Sequence, residues 1–252
     1  MIDRRSQALA KIAPYIERAR NFSGWSFKDV DVRHLDAREP WDYEAIASAR
    51  ARAAASILDL GTGGGEVLSR IVAGIDARVV ATEEWHVNAP IAAARLRPLS
   101  ACVIRADALR LPFADAAFDL VLDRHEALAP AEVARVLAPG GTIVTQQVGH
   151  DDWPELRRFF PRKATFEDHF RTYQRGFADS GLTIDDARWH EERVAFATLG
   201  DLVYMLLLTP WFLAGFDPIA EIDPLLALED GLRTTDGIVL TEMHYIIVAS
   251  KR

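Results

Sequence analysis

Cysteine is nearly absent from this chain. Cys102 is the only one in 252 residues. No intramolecular disulfide can form and no cysteine-rich zinc cluster exists, which suits a reducing cytoplasm. Long apolar runs are also missing. The most apolar stretch, residues 202–213, is interrupted by Pro210 and is too short to span a bilayer. The first twenty residues lack the apolar core of a signal peptide, so a cytoplasmic protein without membrane attachment is expected. Positive charge is in deficit, with 29 Lys and Arg against 37 Asp and Glu and a net charge of -8. The arginines are spread out, in pairs such as Arg4-Arg5 and Arg157-Arg158. An acidic surface repels phosphate backbones, so no nucleic-acid partner is expected. Repeats and low-complexity tracts are absent too.

What is present is a regular alternation. Residues 4–20 carry Leu9, Ile12, Ile16 and Ala19 near one face, the mark of an amphipathic helix. Trp25, Phe27, His34 and Trp41 follow in an aromatic connector, then an Ala-rich helix at 42–54. Strands are expected at 56–60, 78–82, 101–105, 118–123, 142–147, 182–189 and 243–249. Helices are expected from near 64 and at 87–96, 130–137, 166–178, 199–208 and 218–229. Strands alternating with helices imply parallel βαβ units. The expected fold is α/β, a doubly wound, mostly parallel seven-stranded sheet. Residues 1–54 form an N-terminal helical cap, 55–252 the main domain, and about 197–237 a helical insertion before the last strand. The apolar 206–211 run should pack inward, its helix ending before Pro210. Cap and insertion together should cover a ligand pocket.

The most specific motif is the glycine-rich turn Asp59-Leu60-Gly61-Thr62-Gly63-Gly64-Gly65-Glu66, set between a strand and a helix. Glycines allow unusual dihedrals and close approach of a ligand to backbone, and the following helix offers free N–H groups. A dinucleotide fingerprint needs glycine where Glu66 stands, and an acidic residue there repels a pyrophosphate. A nicotinamide oxidoreductase is therefore disfavoured.

From this point the chain resembles the class I S-adenosylmethionine (SAM)-dependent methyltransferases, over about residues 55–150. The glycine turn, with Asp59, Gly61, Thr62 and Gly63, looks like that family's first motif. Val79 to Glu83 resembles the second strand, ending in the acidic residue that binds the ribose hydroxyls. Glu84 takes that role if the strand ends one residue later, and Trp85 is placed to stack on adenine. Arg105-Ala106-Asp107-Ala108 resembles the adenine loop. Leu111-Pro112-Phe113 with Phe118-Asp119-Leu120-Val121, and Leu137 to Gly141, resemble the approaches to the fourth and fifth strands. The resemblance implies SAM as cofactor, S-adenosylhomocysteine as product, and a ligand at the carboxyl ends of the strands, with Arg124 among the cofactor-binding residues. Arg124-His125-Glu126, Thr145 to Gly149 and Pro210-Trp211 resemble a smaller bacterial branch of the family, a likeness that names no substrate.

The sulfonium is an activated donor, so the protein has mainly to position the acceptor and exclude water. A hydroxyl acceptor needs a base. His125, after the fourth strand, is the first candidate catalytic residue and His150, after the fifth, the second; Arg124 and Glu126 flank His125. No Asn-Pro-Pro-Tyr or Asp-Pro-Pro-Tyr segment follows the fourth strand, which disfavours amide or adenine methylation. Cys102 is expected in the core rather than acting as a nucleophile. Asp123, Asp151 and Asp152 are expected to be solvated loop carboxylates, and no metal is expected. The aromatic residues of the cap and insertion point to a small-molecule acceptor, methylated on O or N by in-line displacement. An RNA or protein methyltransferase is the second reading. A non-catalytic protein that binds SAM or S-adenosylhomocysteine as regulator or partner is the third. The oligomeric state is left open.

Overall fold

The computed structural model describes residues 3–28 and 30–252. In chain order the elements are α1 (Arg4–Arg20), β1 (Val32–His34), α2 (Tyr43–Ala51), β2 (Ser56–Leu60), α3 (Glu66–Ile71), β3 (Arg78–Thr82), α4 (Asn88–Leu96), β4 (Cys102–Ile104), β5 (Phe118–Arg124), α5 (Pro130–Val136), β6 (Leu137–Val148), α6 (His169–Asp179), β7 (Leu182–Phe196), α7 (Leu199–Leu208), α8 (Ile222–Leu232) and β8 (Ile238–Lys251). One eight-stranded sheet has the order β1-β7-β8-β6-β5-β2-β3-β4. β2 pairs in parallel with both β3 and β5, and β6 continues parallel on β5. β8 runs antiparallel to β6 and β7. The winding reverses between β2 and β5, and ligands of open α/β sheets bind outside the carboxyl ends of the strands at such a reversal.

Strand residues alternate between the faces. Ile57, Val79, Leu120, Leu122 and Val144 pack with α2, α3 and α4 on one face. Leu58, Val80, Val121 and Ile143 pack with α5 and α6 on the other. A third core joins Ala8 and Ile12 of α1 to Leu202, Val203 and Leu206 of α7 and Leu225 and Leu228 of α8. The caps are local. Asp3 accepts from Ser6 N at 2.9 Å, Asp42 from Ala45 N at 3.0 Å and Thr198 from Asp201 N at 3.1 Å. Each satisfies a helix N–H that lacks an intrahelical partner. No described helix is long and apolar enough to cross a membrane.

Several expectations need correction. The sheet has eight strands rather than seven, because Val32–His34 pairs with Val194–Phe196; three residues are too few for a period to show. β7 and β8 extend well past 182–189 and 243–249 and pair along their lengths. Their extensions carry Glu191, Glu192 and Glu242, whose polarity hides the pairing of β7 with β8 there. The helix after the glycine turn begins at Glu66, Gly65 being its cap at φ 78°. The helix expected at 218–229 spans Ile222–Leu232. Cys102 opens the edge strand β4 and is exposed rather than in the core.

Leu202 is fully buried in the third core. Leu202→Ala should destabilise the chain by about 2–5 kcal/mol through lost burial and the cavity left behind. Urea unfolding checks this, and a loss under about 1 kcal/mol means that the contact between α1 and α7 adds little.

Candidate active site

The glycine turn leaves β2 at the point of reversal. Gly61 and Gly63 hold φ of 58° and 61°, a region that side-chain-bearing residues disfavour. A Cβ on Gly63 would lie 2.9 Å from Cβ of Trp25, and one on Gly61 would collide with Glu126. The turn is cross-braced by Glu83, which is 7% exposed. One carboxylate oxygen accepts from Gly63 N at 2.7 Å, the other from Trp85 N at 2.8 Å. Burial raises the pKa of Glu83, partly offset by these two bonds. Glu84 and Trp85 are exposed, Trp85 at 41%. Asp107, between half-buried Ala106 and buried Ala108, closes a turn by accepting from Leu109 N at 2.8 Å.

A narrow cleft of about 30 Å³ lies along the turn, lined by Trp25, Tyr43, Asp59, Leu60, Gly61, Thr62, Gly63, Glu66, Val67 and Arg124. The hydroxyls of Tyr43 and Thr62 are shut off from solvent there without a partner in good geometry, Thr62 beside the Asp59 carboxyl and Tyr43 beside the Asp123 backbone. Burial pushes Asp59 up to about 7.

Beside it opens a cavity of about 330 Å³ at the carboxyl ends of β5 and β6. Trp25 and Arg124 line both spaces. Its walls include His125, Glu126, Gln147, His150, Trp153, Phe166, His169, Tyr173, Met205, Thr209, Trp211, Phe212, Glu242 and His244. A wider cleft between α1 and the segments around α7 and α8 is lined by Arg4, Lys11, Tyr15, Leu226 and Arg233. It contains none of the residues from the strand ends.

The wall after β5 is set by Asp123, which is fully buried. Its carboxylate accepts from Thr145 Oγ1 at 2.5 Å, Gln147 Nε2 at 2.6 Å and Glu126 N at 3.2 Å. Gln147 Nε2 also donates to Glu126 O at 2.6 Å, and His125 N to Gln146 O at 2.8 Å. These bonds hold His125 at φ 66°, with its ring parallel to that of His244 at 5.8 Å. His125 Nε2 is closed off and unpartnered. Burial first, then the charge of Arg124, holds His125 well below the usual histidine range. His150 packs against Trp189, ring centres 5.8 Å apart.

Both candidate histidines thus stand on one cavity wall, while Asp59, Gly61, Thr62 and Gly63 line the cleft beside it. Glu83, Glu84, Trp85, Ala106, Asp107 and Ala108 stand outside both linings. The expectation of solvated loop carboxylates fails. Asp123 and Asp152 are buried, Asp152 accepting from Met243 N at 2.7 Å. Asp151 is paired with Arg157 and Lys163. Tertiary pairing satisfies each one separately. The sequence reading missed Tyr43, Gln147 as a holder of the loop, and the pair Glu242 and His244. Period-two polarity in β8 was the available signal for that pair. Burial and the neighbouring Glu192 push Glu242 up to about 7.

Residues 58–145 match the family model of the methyltransferase domain. That segment is a methyltransferase domain, and the match supports the SAM-dependent class I family for it. Solved structures share the fold of this methyltransferase domain at low identity. A functionally unknown protein from Deinococcus radiodurans R1 is 16% identical, with 95% of this chain and 100% of that chain covered and a TM-score of 0.65. The [4+2]-cyclase SpnF is 19% identical, covers 97% and 94%, and has a TM-score of 0.56. A geranyl diphosphate methyltransferase in complex with SAM is 18% identical, covers 85% and 93%, and has a TM-score of 0.50. In the methyltransferase family the cofactor is SAM. A glycine cradle at the strand reversal, with buried polar side chains beside it, suits that cofactor.

Asp59 gives this domain a measurable pH dependence. Its folded-state pKa is raised from 3.8 to about 7, so folding favours the protonated form. That contribution is complete below the ordinary carboxyl value and is lost as pH rises through about 7. Asp59→Asn should remove this part of the decline and leave the variant more stable than the parent at pH 8, on the order of a few kcal/mol. Unfolding free energies at pH 5.5 and 8 check it; an unchanged slope assigns the titration to another group.

Proposed function

We propose that this chain transfers a methyl group from SAM to a small, largely apolar acceptor held in the 330 Å³ cavity. The observation that carries the proposal is the adjacency of cleft and cavity, with Trp25 and Arg124 common to both. A methyl donor on the glycine turn and an acceptor among Trp153, Phe166, Trp211 and Phe212 would face each other across those two side chains. A concave site with an aromatic wall facing polar side chains suits a small molecule better than a polymer. The net charge of -8 argues the same way against RNA. A cytoplasmic setting is part of the reading, supported by the exposed, unpaired Cys102.

When bound, SAM supplies a carbon already activated for in-line displacement. The chain's residues then bind, orient and exclude water. We assign the ribose hydroxyls to Glu83. Each of its oxygens already accepts one backbone N–H and keeps a lone pair for a hydroxyl. Admission of the cofactor requires the side chains of Trp25 and Glu126, which crowd Gly63 and Gly61, to swing aside. In this reading Trp85, Ala106, Asp107 and Ala108 border the adenine. His125 is proposed to meet the acceptor through its unpartnered Nε2. It is neutral at neutral pH and so free to accept a hydrogen bond or a proton from an acceptor hydroxyl, but its low proton affinity makes it a weak base. Positioning therefore weighs more than proton removal, and His150 is the second candidate. A role other than methyl transfer, including ligand binding without catalysis, is kept as the alternative because one fold hosts many functions, SpnF, named a cyclase, being a case.

Calorimetry tests the cofactor half. SAM and S-adenosylhomocysteine should bind and NAD should not. Gly63→Val should abolish binding, and Glu83→Ala should weaken it by about 1.5–3 kcal/mol. NAD binding without SAM binding overturns the reading.

Turnover tests the histidine. With a hydroxyl acceptor, His125→Ala should lower kcat by about 10²–10⁴-fold with SAM affinity nearly intact. His125→Gln keeps hydrogen bonding without basicity. Near-full activity in Gln assigns His125 to positioning, and loss in both variants assigns it proton transfer. Full activity in both removes it from the mechanism.

A further inference from the structure

Around and past the end of β6, β7 and β8 carry a cluster to which the reading above gives no role. In their antiparallel register Glu192 stands opposite Glu242 and His190 opposite His244. β1 adds His34 opposite Val194, and the connector after β1 brings Glu39 against them. One carboxylate oxygen from each of Glu39 and Glu192 and one ring nitrogen of His244 all lie within 4.8 Å of one another.

Glu192 makes this more than an acidic cluster. Its side chain is 0% exposed. One oxygen accepts from His34 Nδ1 at 2.6 Å, while the other, Oε1, is shut off from solvent with no partner. His244 Nδ1 is closed off and unpartnered as well. A buried carboxylate oxygen without a donor is costly, and burying it beside two more carboxylates, Glu39 and Glu242, adds repulsion. A cation among them removes both costs at once.

We propose that Glu39, Glu192 and His244 hold a divalent transition-metal ion, with Zn²⁺ the representative case. Two carboxylates and one imidazole form the mixed O and N donor set such ions take. His34 is the outer partner that orients Glu192, as carboxylate ligands of metals commonly require. Three protein ligands leave a coordination position open. His244 also lines the cavity described above, so the ion sits in that cavity's wall, within reach of an oxygen or nitrogen donor on whatever occupies it. The sequence carries no sign of this, because the ligands come from positions 39, 192 and 244 and share no local spacing.

The test needs neither SAM nor an acceptor, so it stands or falls apart from the methyltransferase reading. The intact chain is stripped with chelator, dialysed, and titrated with Zn²⁺ by calorimetry and with Co²⁺ by its visible d–d bands. One equivalent should bind, and the Co²⁺ bands should show nitrogen and oxygen ligation at low coordination number. Glu39→Gln, on the connector, and Glu192→Gln, isosteric in the buried pocket, should each weaken binding at least about 10–100-fold. Circular dichroism verifies that both variants are folded. His34→Gln should weaken it less than either. Failure of the parent to bind either ion overturns the proposal. Equal binding by parent and Glu39→Gln also overturns it, since the ion then resides on surface carboxylates elsewhere.

Discussion

The carboxylate of Asp123 is the bond on which the site depends. It is buried at the carboxyl end of β5, where the low dielectric makes an unpaired charge costly, and burial pushes its pKa well above the usual range. The cost is met by donors from the next strand, Thr145 and Gln147, and from the loop that follows Asp123 itself. The same bonds stop the chain from running on as a strand. They turn it back through His125 in a left-handed conformation and fix Arg124 between the cleft along the glycine turn and the cavity. A hydrophobic residue in place of Asp123 would leave Thr145, Gln147 and Glu126 N without their common acceptor.

The second constraint is the sheet's reversal between β2 and β5. Parallel neighbours on either side send their helices to opposite faces, so no helix covers the strand ends there. The N-terminal connector and the segment after α7 fill the gap instead. Trp25 and Phe27 come from one and Trp211 and Phe212 from the other; Trp25 and Trp211 stack at 6.1 Å. α1 and α7 are held together by the third core. Packing energy spent far from the site thus sets the shape of its aromatic wall.

Local features of the site were legible in the chain. Asp59 to Glu66 could be read because strand, turn and helix follow one another without a break, and because Glu66 distinguishes the turn from a dinucleotide loop. Glu83 could be read because it ends a five-residue apolar strand. Even there, tertiary contacts added something the spacing could not carry. Both oxygens of Glu83 brace backbone N–H groups, so it shapes the turn as well as facing it. Helix α7 was legible from its apolar run and from Thr209-Pro210 as a stop; the structure adds Thr198 as its cap.

What escaped the sequence reading lies where strands distant in the chain meet. Asp123, Asp151 and Asp152 look alike in the sequence, yet one is bonded across β6, one paired with Arg157 and Lys163, and one bonded to the backbone of β8. Glu39, Glu192 and His244 meet only through the register of β7 on β8 and the path of the connector. Apolar period and turn chemistry act within a few residues, so the sequence alone specified the α/β class, the glycine turn and most helices. Strand register and burial sum contacts over the whole chain, so only the folded protein settled which carboxylates are paired, which histidine is desolvated, and where the cavity opens.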